Sequence, residues 1–376
     1  MEIKERKNGL AALYKLCPFY HGLALASAFV LLLHLLLRRN QALMAKIAER
    51  YIHPLHERLA LVFDELGPWS AAEILIWGFI VLIIAAFAAG LVRLLRRPCL
   101  AGAYRLAMLP VSALLFVYAG YSALWGTYYY GDDFAAAGGF ETREISVDEL
   151  ETVTEYFAAM LNEYGELVQR DGQGLYCVDR VAILDHSNEI YGNTERLHPS
   201  LSGPDVRAKG IVSSRLLSYL DFTGFFFPFT GEACVNIDFP PSLFPSTVAH
   251  ELAHQRGVAK EQDANFAAVL ASLESGDLDF CYSACLLAYT HLGNALHDAA
   301  YPRWESIYKS LSENVCRDMA SNRAYWQQFD TPVQTISNTL HEGLLQSYDQ
   351  QLGLKSYGAC VDMLVCHYLP EAEQKG

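Results

Sequence analysis

Three stretches without Asp, Glu, Lys or Arg dominate the first third of the chain, at about 19–37, 74–92 and 106–127. Each matches the roughly 20 apolar residues that a helix needs to cross a hydrocarbon core. Their flanks carry the residues of a membrane interface: Lys15 and the pair Arg38/Arg39, then Arg93, Arg96 and Arg97, then Trp125, Tyr128, Tyr129 and Tyr130. Residues 131–145 form a Gly/Ala-rich linker. Beyond them polar and apolar positions mix at helical spacing. Ser146 opens S-V-D-E, a helix-start signal that predicts a helix to about Gln169. Short apolar runs at 178–184 and 234–239 predict strands, and 222–232 reads as an aromatic-rich loop. From Pro245 the pattern is helical almost to the end, with breaks at Gly257, Gly276 and Pro302. The pattern therefore predicts a membrane-anchored α+β protein: an anchor of three transmembrane helices over 1–130, a linker over 131–145, and a helix-rich domain over 146–376.

Charge sharpens this division. Residues 1–129 hold 13 basic and 7 acidic residues, net +6, whereas 130–376 hold 15 basic and 35 acidic, net −20. A nucleic-acid partner is excluded, because such a domain has nothing with which to neutralise a row of phosphates. The first apolar run ends in arginines rather than a small-residue cleavage site, so it reads as a retained anchor. The N-terminus and the loop of Arg93, Arg96, Arg97 and Arg105 share one side, with eight positive charges. The positive-inside rule puts that side in the cytoplasm and the large acidic domain outside the cell membrane. Arg38, Arg39, Lys46, Arg50 and Arg58 of the first loop weigh against this orientation. Seven cysteines fall in the domain, an odd number that leaves at least one thiol unpaired.

One motif carries chemistry. Residues 246–266 read STVAHELAHQRGVAKEQDANF and contain H-E-x-x-H as His250, Glu251 and His254. On a helix, positions i and i+4 share a face, so both imidazoles reach one ion. Glu251 lies about 100° further round, beside the place where water would be activated, and suits a general base. Zn²⁺ held this way needs a third protein ligand and keeps one position open. Gly257 permits a turn, after which Glu261 and Asp263 are the carboxylates in reach. Glu261 is preferred because Asn265, four residues on, would share its face and orient a ligand histidine. Asp263 stays open as the alternative ligand.

This segment, together with FFFPFTGEACVN (225–236), YSACLLAY (282–289) and LKSYGACVDML (354–364), resembles the bacterial family called domain of unknown function 3810. The resemblance implies a multi-pass membrane protein with a zincin-like domain, acting as a zinc metallopeptidase of unknown substrate. The run E-x-x-A-N is also similar to the E-x-x-A-D run of gluzincin-type membrane peptidases. That similarity makes Glu261 the third ligand and sets Asn265 in the place of an Asp, with an accepting oxygen but no charge.

A peptidase of this kind also needs a donor for the developing oxyanion. Tyr357 is the first candidate, ahead of Tyr282, Tyr289 and His291. Arg256 either pairs with Glu261 or Asp263 or stands exposed, and the strand around GEACVN is either an edge on which an extended peptide can pair or an ordinary sheet strand. The expectation is zinc-dependent hydrolysis of peptide bonds beside the lipid bilayer, with Glu251 as base. The alternative is a zinc-binding membrane sensor or scaffold without turnover.

Overall fold

The computed structural model describes residues 14–131, 134–140, 142–348 and 358–375. Its longer helices are α1 Pro18–Leu37, α2 His53–Asp64, α3 Ala71–Arg96, α4 Leu100–Leu124, α5 Val147–Leu167, α6 Phe244–Gln255, α7 Glu261–Ser275, α8 Leu278–Lys309, α9 Glu313–Gln327, α10 Pro332–Ser347 and α11 Gly358–Lys375. They fall into two compact units. One comprises Met1–Ile52 and Ala71–Gly131, the other His53–Ser70 and Asp132–Gly376.

In the first unit α1 and α3 each pack on α4. These three helices are long and apolar enough to cross a membrane, and no residue in the most apolar stretch of α3 is buried. Pro18 starts α1 at a position where a missing N–H costs nothing. The first two predicted apolar stretches lie within α1 and α3, and the third lies within α4 up to Leu124, where the helix ends and 125–127 form a turn.

The second unit is helix-rich around a three-stranded sheet. Strands β1 (Lys209–Ile211), β2 (Gly224–Phe227) and β3 (Glu232–Asn236) lie in the order β1-β3-β2, with β3 parallel to β1 and antiparallel to β2. The candidate edge strand around GEACVN is therefore the central one, buried at all five positions. The edge beside it is β2, which the sequence reading took as loop. Its Gly and three consecutive Phe have no period-two pattern, and pairing with β3 fixes it instead. The expected strand at 178–184 is also different. Asp179 caps a helix over Arg180–His186, its side chain accepting from the backbone N–H groups of Val181 and Ala182.

The core forms where α5 lies along α8, with α11 covering α5 and α7. Phe157, Leu161, Phe266, Tyr282 and Leu292 are fully buried there, each aromatic or aliphatic side chain contributing about 1.5–3 kcal/mol. Ser146 and Glu149 form a reciprocal capping box at the start of α5. Helix α8 is kinked at Ala300, just ahead of Pro302.

Two segments sit differently from the sequence division. The linker contains a short helix, Phe134–Gly138, and anchors itself by Phe140, whose ring meets Phe266 edge-on at 4.9 Å. Helix α2, placed with the anchor by its position between apolar runs, is built into the large unit. Lys209, 3% exposed, donates to Asp64 at 2.5 Å and to the Gly67 carbonyl at 2.8 Å. His56 and Ala60, four residues apart on α2, are buried, and His56 meets the ring of Phe226 edge-on at 5.2 Å. None of the nine cysteines, all of them among the described residues, is joined in a disulfide.

Candidate metal centre

Helix α6 is held firmly before any chemistry is considered. The Ser246 N–H donates to Ser283 of α8 at 2.9 Å, and the Tyr191 hydroxyl donates to the Ala249 carbonyl at 2.8 Å. Gln255 donates to the Gly231 carbonyl, in the turn between β2 and β3, at 2.7 Å. Ser246 and Thr247 lie inside the first turn, their hydroxyls bonded back to the Leu243 carbonyl at 3.1 and 2.8 Å.

His250 and His254 project from one face of α6, with ring centroids 4.6 Å apart. Gly257 then turns the chain with φ +87°, a value that disfavours any side chain. The turn returns the Val258 carbonyl to His254 Nδ1 at 2.6 Å. A carbonyl only accepts, so Nδ1 carries the proton and Nε2 faces outward. His250 is oriented the same way by Asn265 Oδ1, 2.9 Å from its Nδ1. Glu261, the first residue of α7, reaches both histidines: Oε2 is 3.2 Å from His250 Nε2, and Oε1 is 3.7 Å from His254 Nε2. One ligand atom from each of His250, His254 and Glu261 lies within 4.8 Å of the others, a cluster that can hold a metal ion.

Burial would raise the Glu261 carboxyl and lower the His254 imidazole. Their mutual attraction reverses both, so Glu261 lies well below the usual carboxylate range and His254 is raised to about 9. Glu251 is 3% exposed and differs from both. Burial pushes its carboxyl up to about 7, against the lowering by His250 and His254. Among the described residues its Oε2 has no hydrogen-bond partner. A Cβ built on Gly224 would stand 2.5 Å from Glu251 Oε1, so β2 approaches Glu251 with no side chain between.

The remaining sequence candidates scatter. Asp263 is buried two residues beyond Glu261, near the Cys360 thiol of α11, which burial pushes up with the Asp263 charge adding to it, and it is not in the cluster. Tyr282 donates to Asp318 at 2.5 Å beside Arg170, deep in the core. Tyr289 packs toward Gly293 and Trp304. His291 is buried within electrostatic reach of His250. Tyr357 lies outside the described residues. Arg256 pairs with neither candidate carboxylate: it stacks over Tyr191 at 4.2 Å and faces Asp205 at 3.7 Å.

The sequence reading missed two residues here. One is Gly224. The other is His341 of α10, whose ring meets Phe222 at 5.3 Å and feels the charges of Glu261 and His254. Ser337 and Asn338, one turn before it, hold α10 on the turn ahead of β2 through Leu220 and Asp221. The dipeptide His341-Glu342 stands 80 residues beyond Glu261, with no spacing signal to connect them.

No curated protein and no solved structure matches the chain. A family model does, over residues 49–365, from within the first loop to α11. The chain belongs to the family described as Protein of unknown function (DUF3810).

Proposed function

We propose that this chain is a membrane-anchored zinc peptidase of zincin type. The observation that carries the reading is the convergence of His250 Nε2, His254 Nε2 and the Glu261 carboxylate, beside the buried Oε2 of Glu251, unpartnered among the described residues. Two imidazoles and a carboxylate are a donor set suited to Zn²⁺ with one position left open, and both rings already present Nε2 through hydrogen bonds made at Nδ1. The residues fit the ion.

When bound, zinc supplies Lewis acidity that polarises a carbonyl and acidifies water. The protein's own groups do the rest. Glu251 takes the proton of the attacking water and passes it to the leaving amine. Its environment is dry, which favours proton transfer over solvation of the carboxylate. The bare backbone at Gly224 lets the Glu251 side chain lie against β2, and the edge of β2 offers main-chain groups to an extended peptide. His341, within electrostatic reach of Glu261 and His254, is the donor this reading assigns to the developing oxyanion.

The membrane reading places α1, α3 and α4 across the cell membrane. The first loop contributes α2 to the large unit, which is what an odd number of crossings requires, since loop and domain must then share a side. The arginines between α3 and α4 put that side outside the cytoplasm.

A second reading, a zinc-binding sensor or scaffold without turnover, is favoured by Asn265, which supports His250 without a negative charge. Two variants separate the readings. Purified full chain is expected to hold about one zinc, lost in His254→Ala and Glu261→Ala. Glu251→Gln should keep the metal and lose about 10²–10⁴-fold in hydrolysis of a peptide library. Hydrolysis surviving in Glu251→Gln would sink the peptidase. Absence of metal from well-folded wild type would sink both readings.

A further inference from the structure

A cleft of 640 Å³ opens between α3 and α4, bounded also by Tyr20 of α1, far in sequence from the metal residues. Its lining includes Arg93 and Arg96 at the end of α3, Arg97 just beyond it, and Arg105 in the second turn of α4. No Asp or Glu occurs anywhere between positions 74 and 130, so the segment contains nothing to neutralise them. Arg105 is partly fixed, its Nε donating to the Leu16 carbonyl at 2.6 Å.

Further along the helices the lining becomes apolar. Ala86 and Gly90 precede Arg93 on α3, and Leu106 and Leu109 follow Arg105 on α4. At a rise of 1.5 Å per residue, Ala86 lies about 10 Å from Arg93 along the helix. A small inorganic anion needs only the arginines. A cleft that continues as an apolar groove suits an anion joined to a hydrocarbon chain.

We propose that this cleft binds an anionic glycerophospholipid, its phosphate held by Arg93, Arg97 and Arg105 and one acyl chain laid along the groove. Guanidinium forks match phosphate oxygens, and basic pockets between spanning helices are suited to such headgroups. The arginines thus hold a lipid in addition to setting orientation. The inference rests on the membrane reading and is independent of the peptidase.

The test is native mass spectrometry of the full chain in neutral detergent, with phosphatidylglycerol, phosphatidylcholine or inorganic phosphate added. The expected result is a one-to-one phosphatidylglycerol adduct, about tenfold or more stronger than that of phosphatidylcholine. It should disappear in Arg93→Gln/Arg97→Gln/Arg105→Gln and persist in Arg50→Gln/Arg58→Gln, which removes charge from the other loop. Equal binding of both lipids, or an adduct that survives the triple substitution, would overturn the proposal. So would inorganic phosphate displacing phosphatidylglycerol at equal concentration, which would make the cleft a simple anion site. Release of the chain from membranes by alkaline carbonate would instead remove the membrane reading itself.

Discussion

Gly224 and Glu251 are in contact across the gap between a sheet edge and a helix, and a single added carbon would close it. The Cβ of any other residue at 224 would stand 2.5 Å from Glu251 Oε1 and 2.7 Å from its Cδ. The carboxylate would have to swing away, while the atoms nearest the added carbon all belong to Glu251 and none to the cluster of His250, His254 and Glu261. Gly224→Val is therefore expected to keep its zinc and lose about 100-fold in kcat/KM, as for an angstrom-scale displacement of a catalytic group. Metal analysis beside peptide-hydrolysis kinetics checks this. Wild-type rates in Gly224→Val would mean that Glu251 does not act from the position it occupies.

The sequence revealed those parts of this centre that depend on local geometry. His250 and His254 share a helix face by spacing alone, and Glu261 and Asn265 do so one turn later on α7. Gly257 marks the turn because its φ of +87° is open to few other residues. The helix period also separates Glu261 from Asp263. What stayed hidden depends on partners distant in the chain. The run at 222–232 becomes an edge strand only because β3 pairs with it. His341 reaches the centre because Ser337 and Asn338 dock α10 against Leu220 and Asp221. Helix α2 looks like part of an anchor until Lys209, 145 residues beyond Asp64, pairs with it. The misread strand at 178–184 is a different failure: Asp179 was a legible cap, outweighed by the apolar residues that follow it.

Asn265 sets how strongly the imidazole of His250 can donate to a metal. It accepts the Nδ1 proton at 2.9 Å but brings no charge. Asn265→Ala should weaken zinc binding by about 10–100-fold, and Asn265→Asp should strengthen it, since a carboxylate raises ligand basicity. Competition against a chromogenic chelator reads both. Equal affinity in all three proteins would place the control of His250 elsewhere.

His341 is expected to act in the transition state rather than in metal binding. It contributes no atom to the ligand cluster, yet it lies within electrostatic reach of Glu261 and His254. His341→Ala should lower kcat by about 10²–10³-fold, the range for one lost oxyanion donor, with zinc content unchanged. His341→Gln, which retains an N–H donor, should recover part of the loss. A rise in KM at constant kcat would make His341 a substrate-binding wall instead.

His56 should make the attachment of α2 sensitive to acid. Burial lowers its pKa to about 4, assisted by the charge of His53 and opposed by a hydrogen bond to the Pro228 carbonyl. The unfolded value is 6.5. Between these limits the unfolded chain binds a proton that the folded site refuses, so stability increases with pH across that window. The full contribution is present above pH 6.5 and is lost as pH falls toward about 4, amounting to about 3 kcal/mol at most. Hydrogen exchange over α2, corrected for intrinsic rates, should therefore accelerate between neutral pH and pH about 5. His56→Phe keeps an aromatic ring against Phe226 and removes the titrating group. Its exchange over α2 should lose most of the pH dependence, although the lost bond to Pro228 raises exchange at every pH. An acid response in His56→Phe as steep as that of wild type would shift the cause to other groups around α2, with the Asp64–Lys209 pair the next to examine.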